Sequence, residues 1–310
     1  MRSLGPWLAL VLAGCVTYPR VSRPPLDPPP GSAWLDGAGG VKLYSSVVLP
    51  EGQPVGVVWF VLGPEISSAP LYPSLSSALR EAGFATAVVH PRGAGYSAGL
   101  RGDLDDYQLF LGDQRQALAH LQARFSSQPI FLMGHSAGAA FALEVAAKAK
   151  TPPAGLVLVN PAYKLRASEG MTPTFGDYLA FMGNMVFRPA AITVDMNSRP
   201  SAAKHAADRS EAEAMQADPL VVRYFSMRYM LAQRQVMDRC VANAAATSAP
   251  VLLVQGTEDA LVDPAGSDEI LAAVRSGDKA RLAAPGAGHG SSAVETMVEP
   301  IVDWLKARVR

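Results

Sequence analysis

Five apolar runs constrain this chain more than any other feature: VGVVWFVL from residue 55, FATAVV from 84, PIFLM from 129, LVLVN from 156 and PVLLVQG from 250. Each is short and uninterrupted, so each reads as a strand buried on both faces rather than a half-exposed strand with a polar side. Helix-like segments separate the first four: LYPSLSSALREAG, DDYQLFLGDQRQALAHLQARF and AAFALEVAAKAK. That alternation implies right-handed crossovers and a mostly parallel sheet with helices on both faces, an α/β class in which reactive groups gather at the carboxyl ends of the strands. Ahead of the runs, VKLYSSVVLP alternates as an antiparallel edge strand does, and ARLAA near residue 280 reads as one more short strand.

Close to ninety residues separate NPAY at 160 from PVLLVQG at 250, far more than one crossover needs. The expected organisation is a core at 33–162 and 249–310 enclosing a helical cap inserted at 163–248. Within the insertion Phe175, Tyr178, Leu179, Met182 and Val186 recur at helical spacing, and ADPLVVRYFSMRYMLAQRQVM reads as a second amphipathic helix. Eight of the eleven methionines fall there, suited either to a plastic apolar lining or, for any one of them, to helix packing. With 27 basic and 27 acidic side chains the chain has no electrostatic footprint for nucleic acid.

The chain starts MRSLGPWLALVLAGC, an arginine and a short apolar stretch ending in small residues, too short to span a bilayer and laid out as a secretory signal. Leu12, Ala13, Gly14 and Cys15 resemble a bacterial lipobox, which implies removal of residues 1–14 and lipidation of Cys15. The same resemblance, with Val16 after the cysteine, implies a cell-envelope protein sorted to the outer membrane if the source has one. Residues 15–32 carry six prolines and are expected to form a semi-rigid tether on the order of 50 Å long. Lipidation would leave Cys240 as the single thiol, so no disulfide is expected.

Gly-x-Ser-x-Gly occurs twice, as GYSAG at 95–99 and GHSAG at 134–138. Chemistry at such a serine needs a sharp strand-to-helix turn flanked by small residues. Ser136 has that setting, with PIFLM before it and an alanine-rich helix after it, whereas Ser97 lies in a glycine-broken polar loop. A serine nucleophile needs a histidine base, and the base needs a carboxylate. PVLLVQG delivers the chain to TEDALVDP, which offers Glu258, Asp259 and Asp263, and GAGHG further on presents His289. The other four histidines, His90, His120, His135 and His205, lack either the order or the setting. Histidine and cysteine are too sparse for a metal site, and no phosphate-cradling glycine motif implies a nucleotide cofactor, so neither a metal nor a cofactor is expected.

The order Ser136, Asp259, His289, within GHSAG, QGTEDALVDP and GAGHG, resembles the α/β-hydrolase superfamily over roughly residues 40–310. The likeness is greatest to the branch of monoacylglycerol lipases, lysophospholipases and serine aminopeptidase S33-type proteins. The resemblance places the acid at Asp259, leaves Asp263 to stabilise the loop or start a helix and Glu258 in solvent, and makes HPRGAGYS a structural turn, with Ser97 as its by-product. Two positions depart from the pattern: His90 stands where the family has aspartate, and Pro64 follows Leu62 and Gly63 where the family has a residue that donates its N–H to the oxyanion hole. Proline has no N–H, so Ala137 supplies one donor and Glu65 is the expected second. The resulting expectation is a membrane-tethered serine hydrolase acting on acylglycerol or lysophospholipid-like esters. An S33-type aminopeptidase and a non-catalytic binding protein of the same fold are the alternatives, with SEAEAMQAD at 210–218 as the acidic cluster an aminopeptidase would use.

Overall fold

The computed structural model describes residues 17–30, 32–63, 71–104, 106–166, 182–195 and 205–309. Residues 1–14, where a signal segment is expected, Cys15, Pro64 and Glu65 lie outside the described residues, as do Phe175, Tyr178, Leu179, Met171 and Met196. Eight strands form the main sheet: β1 (Ala33–Asp36), β2 (Lys42–Val48), β3 (Gly56–Val61), β4 (Phe84–Val89), β5 (Ile130–His135), β6 (Gly155–Val159), and later β9 (Val251–Gly256) and β10 (Lys279–Ala284). They lie in the order β1-β2-β4-β3-β5-β6-β9-β10, parallel from β4 to β10 and antiparallel at β1, β2 and β4. This is the α/β-hydrolase arrangement. The expected edge strand β2 is not the edge: β1 pairs outside it, a four-residue strand with only Leu35 buried and therefore almost no apolar signal.

The five apolar runs form the parallel centre because each strand can bury both faces. In β3, Val57, Trp59 and Val61 join one apolar cluster and Val58 and Phe60 the other; β9 divides the same way, with Val251 and Leu253 opposite Leu252 and Val254. Helices Tyr107–Arg124 and Ala137–Lys148 cover the first face, and Pro73–Glu81 and Val298–Lys306 the second. Burying such side chains stabilises the fold by ~1.5–3 kcal/mol each, which is why β3, β5, β6 and β9 carry almost no polar residues.

The segment between β6 and β9 divides by what it packs on. Helices Met227–Asp238 and Cys240–Ala246 lie against Ala137–Lys148, with Val236, Cys240 and Ala244 fully buried in the same cluster as the sheet. Buried Asn243 donates to the equally buried Glu144 at 2.5 Å, and Lys148 pairs with the other carboxylate oxygen. Among the described residues the remainder comprises a helix at 182–187, a helix at Ala206–Ala217, and an antiparallel ribbon of β7 (Ile192–Asp195) and β8 (Tyr224–Ser226). The ribbon was not expected. The stretch read as one helix from 217 to 237 breaks at Asp218–Pro219 and at β-branched Val221 and Val222, and resumes where the Ser226 side chain accepts from the Tyr229 N–H as an N-cap. Met237 packs in the core with Met230 against it, and Met227 is buried, the packing role for these methionines.

The tether also differs from expectation: its start is bound to this segment. The Tyr18 N–H donates to the Ile192 carbonyl at 2.9 Å, extending the ribbon, and the Tyr18 ring stacks on Tyr224 at 4.0 Å. Arg188 donates to the Thr17 hydroxyl, the Arg101 N–H donates to the Val21 carbonyl, and Arg20 reaches Asp103 at 2.6 Å. Prolines dominate the composition of this stretch, and an aromatic and a cation among them find partners. Asp103 is buried, and its carboxylate accepts from Arg20, from Arg228 in bidentate fashion and from Ser226. Burial pushes that carboxyl up, and these hydrogen bonds outweigh burial and hold it below the usual range. Among the described residues no helix is long and apolar enough to cross a membrane.

Asp103→Ala leaves two guanidiniums facing a vacated buried position, and it is expected to lower unfolding free energy by about 3 kcal/mol. Urea denaturation, with limited proteolysis of residues 17–30 as a second reading, checks it.

Candidate active site

The strand β5 ends at His135, and helix Ala137–Lys148 begins one residue after Ser136. The turn between them forces Ser136 to φ 54°, ψ −121°, a strained conformation that lifts its side chain off the sheet edge. A Cβ at Gly134 would overlap the Gly138 carbonyl oxygen, and one at Gly138 would overlap the Val61 carbonyl oxygen of β3. The glycines of GHSAG are thus present for room. The Ser136 N–H donates to Val159 and its carbonyl accepts from Ala162 at 3.1 Å, which pins the turn to the end of β6.

The other two groups arrive from the next strand ends. Asp259 follows β9; its Oδ1 accepts from the N–H groups of Leu261 and Val262, both at 2.8 Å, and its Oδ2 faces His289 Nδ1 at 2.8 Å. His289 Nε2 lies 2.9 Å from Ser136 Oγ. With Nδ1–H donating to Asp259, Nε2 is left to accept from the serine hydroxyl, the tautomer a general base requires. Burial pushes the Asp259 carboxyl up, but the hydrogen bond and charge of His289 and the two backbone donors prevail, and the carboxyl sits below its ordinary value. Glu258 is exposed, and Asp263 accepts from Ala265 N–H as the N-cap of helix Pro264–Ala273.

Two residues to which the sequence reading gave no role hold His289 from behind. His135 Nε2 donates to the His289 carbonyl at 2.5 Å, and Asn160 Nδ2 donates to the carbonyls of Gly288 and His289 at 3.1 and 3.0 Å. Asn160 Oδ1 accepts from Gly256 N–H at 2.8 Å, so one fully buried side chain joins the ends of β6 and β9 to the histidine loop. Asn160 sits at φ 43°, a conformation asparagine tolerates better than most residues, and an asparagine closing a buried strand is the signal that could have found it. Burial, with the neighbouring His289 charge, pushes His135 down to about 4, so it remains a neutral donor.

Ser97 has a different environment. It is buried, its Oγ donates to the His90 carbonyl at 2.7 Å, which closes the loop on itself, and accepts from the Tyr44 N–H at 2.9 Å, which ties the loop to β2. His90 Nδ1 accepts from Tyr96 N–H at 3.1 Å, the bond by which the loop accommodates histidine in place of aspartate. Gly95, at φ 52°, leaves room for that ring, since a Cβ there would overlap His90 Nδ1. Ala137, the expected oxyanion donor, opens its helix, where first-turn N–H groups lack an intrahelical partner. Gly63, the last described residue before Pro64, lies against it, 3.7 Å from the Ala137 Cβ to the position a Cβ would take.

Replacing Ser136 with alanine is expected to abolish labelling by a fluorophosphonate probe. Ser97→Ala keeps labelling and loses thermal stability, and Asp259→Asn lowers kcat by roughly 10⁴ because the wrong tautomer faces the serine. A second expectation concerns acid. Burial, with Arg101 adding, holds His90 at about 4 in the folded chain against 6.5 unfolded. Protons therefore favour the unfolded chain: the stability is complete above about pH 6.5 and is lost as pH falls toward about 4, on the order of 3 kcal/mol for this group. Denaturant unfolding across that window measures the slope, which His90→Asn should flatten.

The chain as a whole is similar to known proteins. The family model described as "Serine aminopeptidase, S33" matches residues 52–294. A mouse monoglyceride lipase is 27% identical over 285 residues, covering 89% of this chain and 90% of that protein. The crystal structure of a monoacylglycerol lipase from Paleococcus ferrophilus superposes with TM-score 0.68 at 25% identity, covering 86% of this chain and 99% of that one. A soluble variant of the Saccharomyces cerevisiae monoglyceride lipase, solved with a substrate analogue, shares the fold with TM-score 0.74 at 20% identity over 94% of this chain and 99% of that one.

Proposed function

The chain belongs to the serine aminopeptidase S33 family of α/β-hydrolases, and from that premise we propose that it hydrolyses acylglycerol or lysophospholipid-like esters through an acyl-enzyme on Ser136. The observation that carries this reading is the continuous hydrogen-bonded line from Asp259 through His289 to Ser136. Ser136 Oγ attacks the ester carbonyl while His289 Nε2 takes its proton, and Asp259 stabilises the imidazolium. The negative charge that develops on the carbonyl oxygen meets the Ala137 N–H, with Glu65 as the second donor because Pro64 has none. The tetrahedral adduct collapses, the C–O bond to the alcohol breaks, and His289 returns the proton to the leaving oxygen. Water then repeats the sequence on the acyl-enzyme and releases the carboxylic acid.

The relatives named for monoacylglycerol hydrolysis support an ester substrate over a peptide. In the acidic cluster at 210–218, Glu211 accepts from the Ser291 N–H, and Asp208 just ahead of the cluster accepts from Ser292. Lipidation at Cys15 would attach the chain to an envelope membrane. Thr17 is held by Arg188, immediately after the short helix that exposes Val186 and Phe187, so the anchor would enter the lipid beside an apolar surface of the cap.

The test compares kcat/KM for a monoacylglycerol, a lysophospholipid and an aminoacyl amide on the folded chain. The esters are expected to be cleaved by wild type and not by Ser136→Ala; cleavage of the amide alone would overturn the ester reading. Pro64→Ala should change kcat less than about threefold if Glu65 donates, whereas a rise nearing a hundredfold would mean that Ala137 acts alone. Cys15→Ser is expected to move the protein from the membrane to the soluble fraction of cells.

A further inference from the structure

His289 lies between two glycines, yet neither Gly288 nor Gly290 adopts the left-handed backbone that would call for glycine. What each provides is room, and the room is taken by carboxylates of another segment. A Cβ on Gly288 would overlap Asp208 Oδ2, and one on Gly290 would come within 2.7 Å of both Asp208 Oδ1 and Glu211 Oε2. Both acids belong to the first turns of helix Ala206–Ala217, and Asp208 is buried.

Their partners are the residues immediately after the base. Ser292 N–H donates to Asp208 Oδ1 and the Ser292 hydroxyl to Oδ2, both at 3.0 Å, while Ser291 N–H donates to Glu211 Oε2 at 2.8 Å. The same Ser292 hydroxyl accepts from Gly288 N–H at 3.0 Å, so the acids close a ring of bonds around the loop that carries His289. Ser291 and Ser292 begin the short helix Ser292–Glu295, whose first N–H groups have no partner within the helix. A carboxylate facing such a terminus is favoured by charge as well as by hydrogen bonding. His135 and Asn160 hold the His289 carbonyl from the sheet, and Asp208 and Glu211 hold the following residues from the opposite side.

We propose that Asp208 and Glu211 are positioning residues for His289, so that the base is aligned with Ser136 only while helix Ala206–Ala217 is seated on the loop. This rests on the reading of His289 as the base for Ser136. A carboxylate contact of this kind acts on geometry: a displacement of about 1 Å at a base can cost roughly a hundredfold in rate with little effect on substrate binding.

The experiment has two readouts. Hydrogen exchange at the amides of residues 288–292 reads the contact itself, and the rate of fluorophosphonate labelling, with kcat and KM for a short soluble ester, reads its consequence. Asp208→Ala is expected to speed exchange in the loop by about tenfold and to slow both labelling and kcat by roughly tenfold or more, with KM within about twofold. Asp208→Asn should recover most of the rate, because its amide oxygen can accept from Ser292 N–H and its nitrogen can donate to the hydroxyl. If Asp208→Ala folds poorly, the more exposed Glu211 provides the second variant: the loss caused by Gly290→Ala should shrink in a Glu211→Ala background, which removes one of the atoms the new methyl meets. Unchanged exchange at Ser291 and Ser292 in a folded Asp208→Ala protein, or altered exchange with labelling and kcat within about twofold of wild type, would overturn the proposal. Failure of wild type to label at Ser136 would instead strike the nucleophile assignment, and exchange would still decide whether the contact exists.

Discussion

The close approach of β5, its neighbours and helix Ala137–Lys148 at Ser136 is the constraint from which the rest of the site follows. The helix can start one residue after the strand only because Gly138 lets its backbone meet the Val61 carbonyl and Gly134 lets the turn close on Gly138. The serine is left at positive φ, and the strain is offset by the bonds from its backbone to β6 and by the apolar cluster under the helix. Loosening that packing would lower the serine back toward the sheet.

Once the serine is fixed, its partners must be brought to it across several strand ends, and buried polar groups do this. Asn160 connects β6, β9 and the histidine loop with one side chain, every polar atom of which is bonded. Asp259 is oriented by two backbone donors before it meets His289. Away from water such bonds are costly to leave unmade, so they select one loop position from the many that a glycine-rich segment could adopt.

The inserted segment is correspondingly two things. Its later helices are part of the core, sealed by Cys240, whose thiol burial pushes up to about 12, and by the pair of Asn243 with Glu144. Its earlier helix and ribbon meet the site and the tether at once, through Asp208 on the histidine loop and through Asp103 beneath Arg20 and Arg228.

The sequence by itself determined the sheet, because five continuous apolar runs can be satisfied only by strands buried on both faces, and it distinguished Ser136 from Ser97 because only one is followed by a helix-forming segment. It also singled out His289, the histidine whose ring meets both Asp259 and Ser136. It could not place β1, which buries one side chain, or the ribbon, whose strands are too short for a periodic signal. It left three carboxylates for the acid until a family likeness chose among them, and it gave no sign of the partners that Tyr18 and Arg20 find. Those choices depend on which groups meet across long sequence separations: Asp259 reaches His289 while Asp263 caps a helix, and Asp208 fills the space that two glycines leave. Local propensity and periodicity carry no information about such encounters, which packing alone decides.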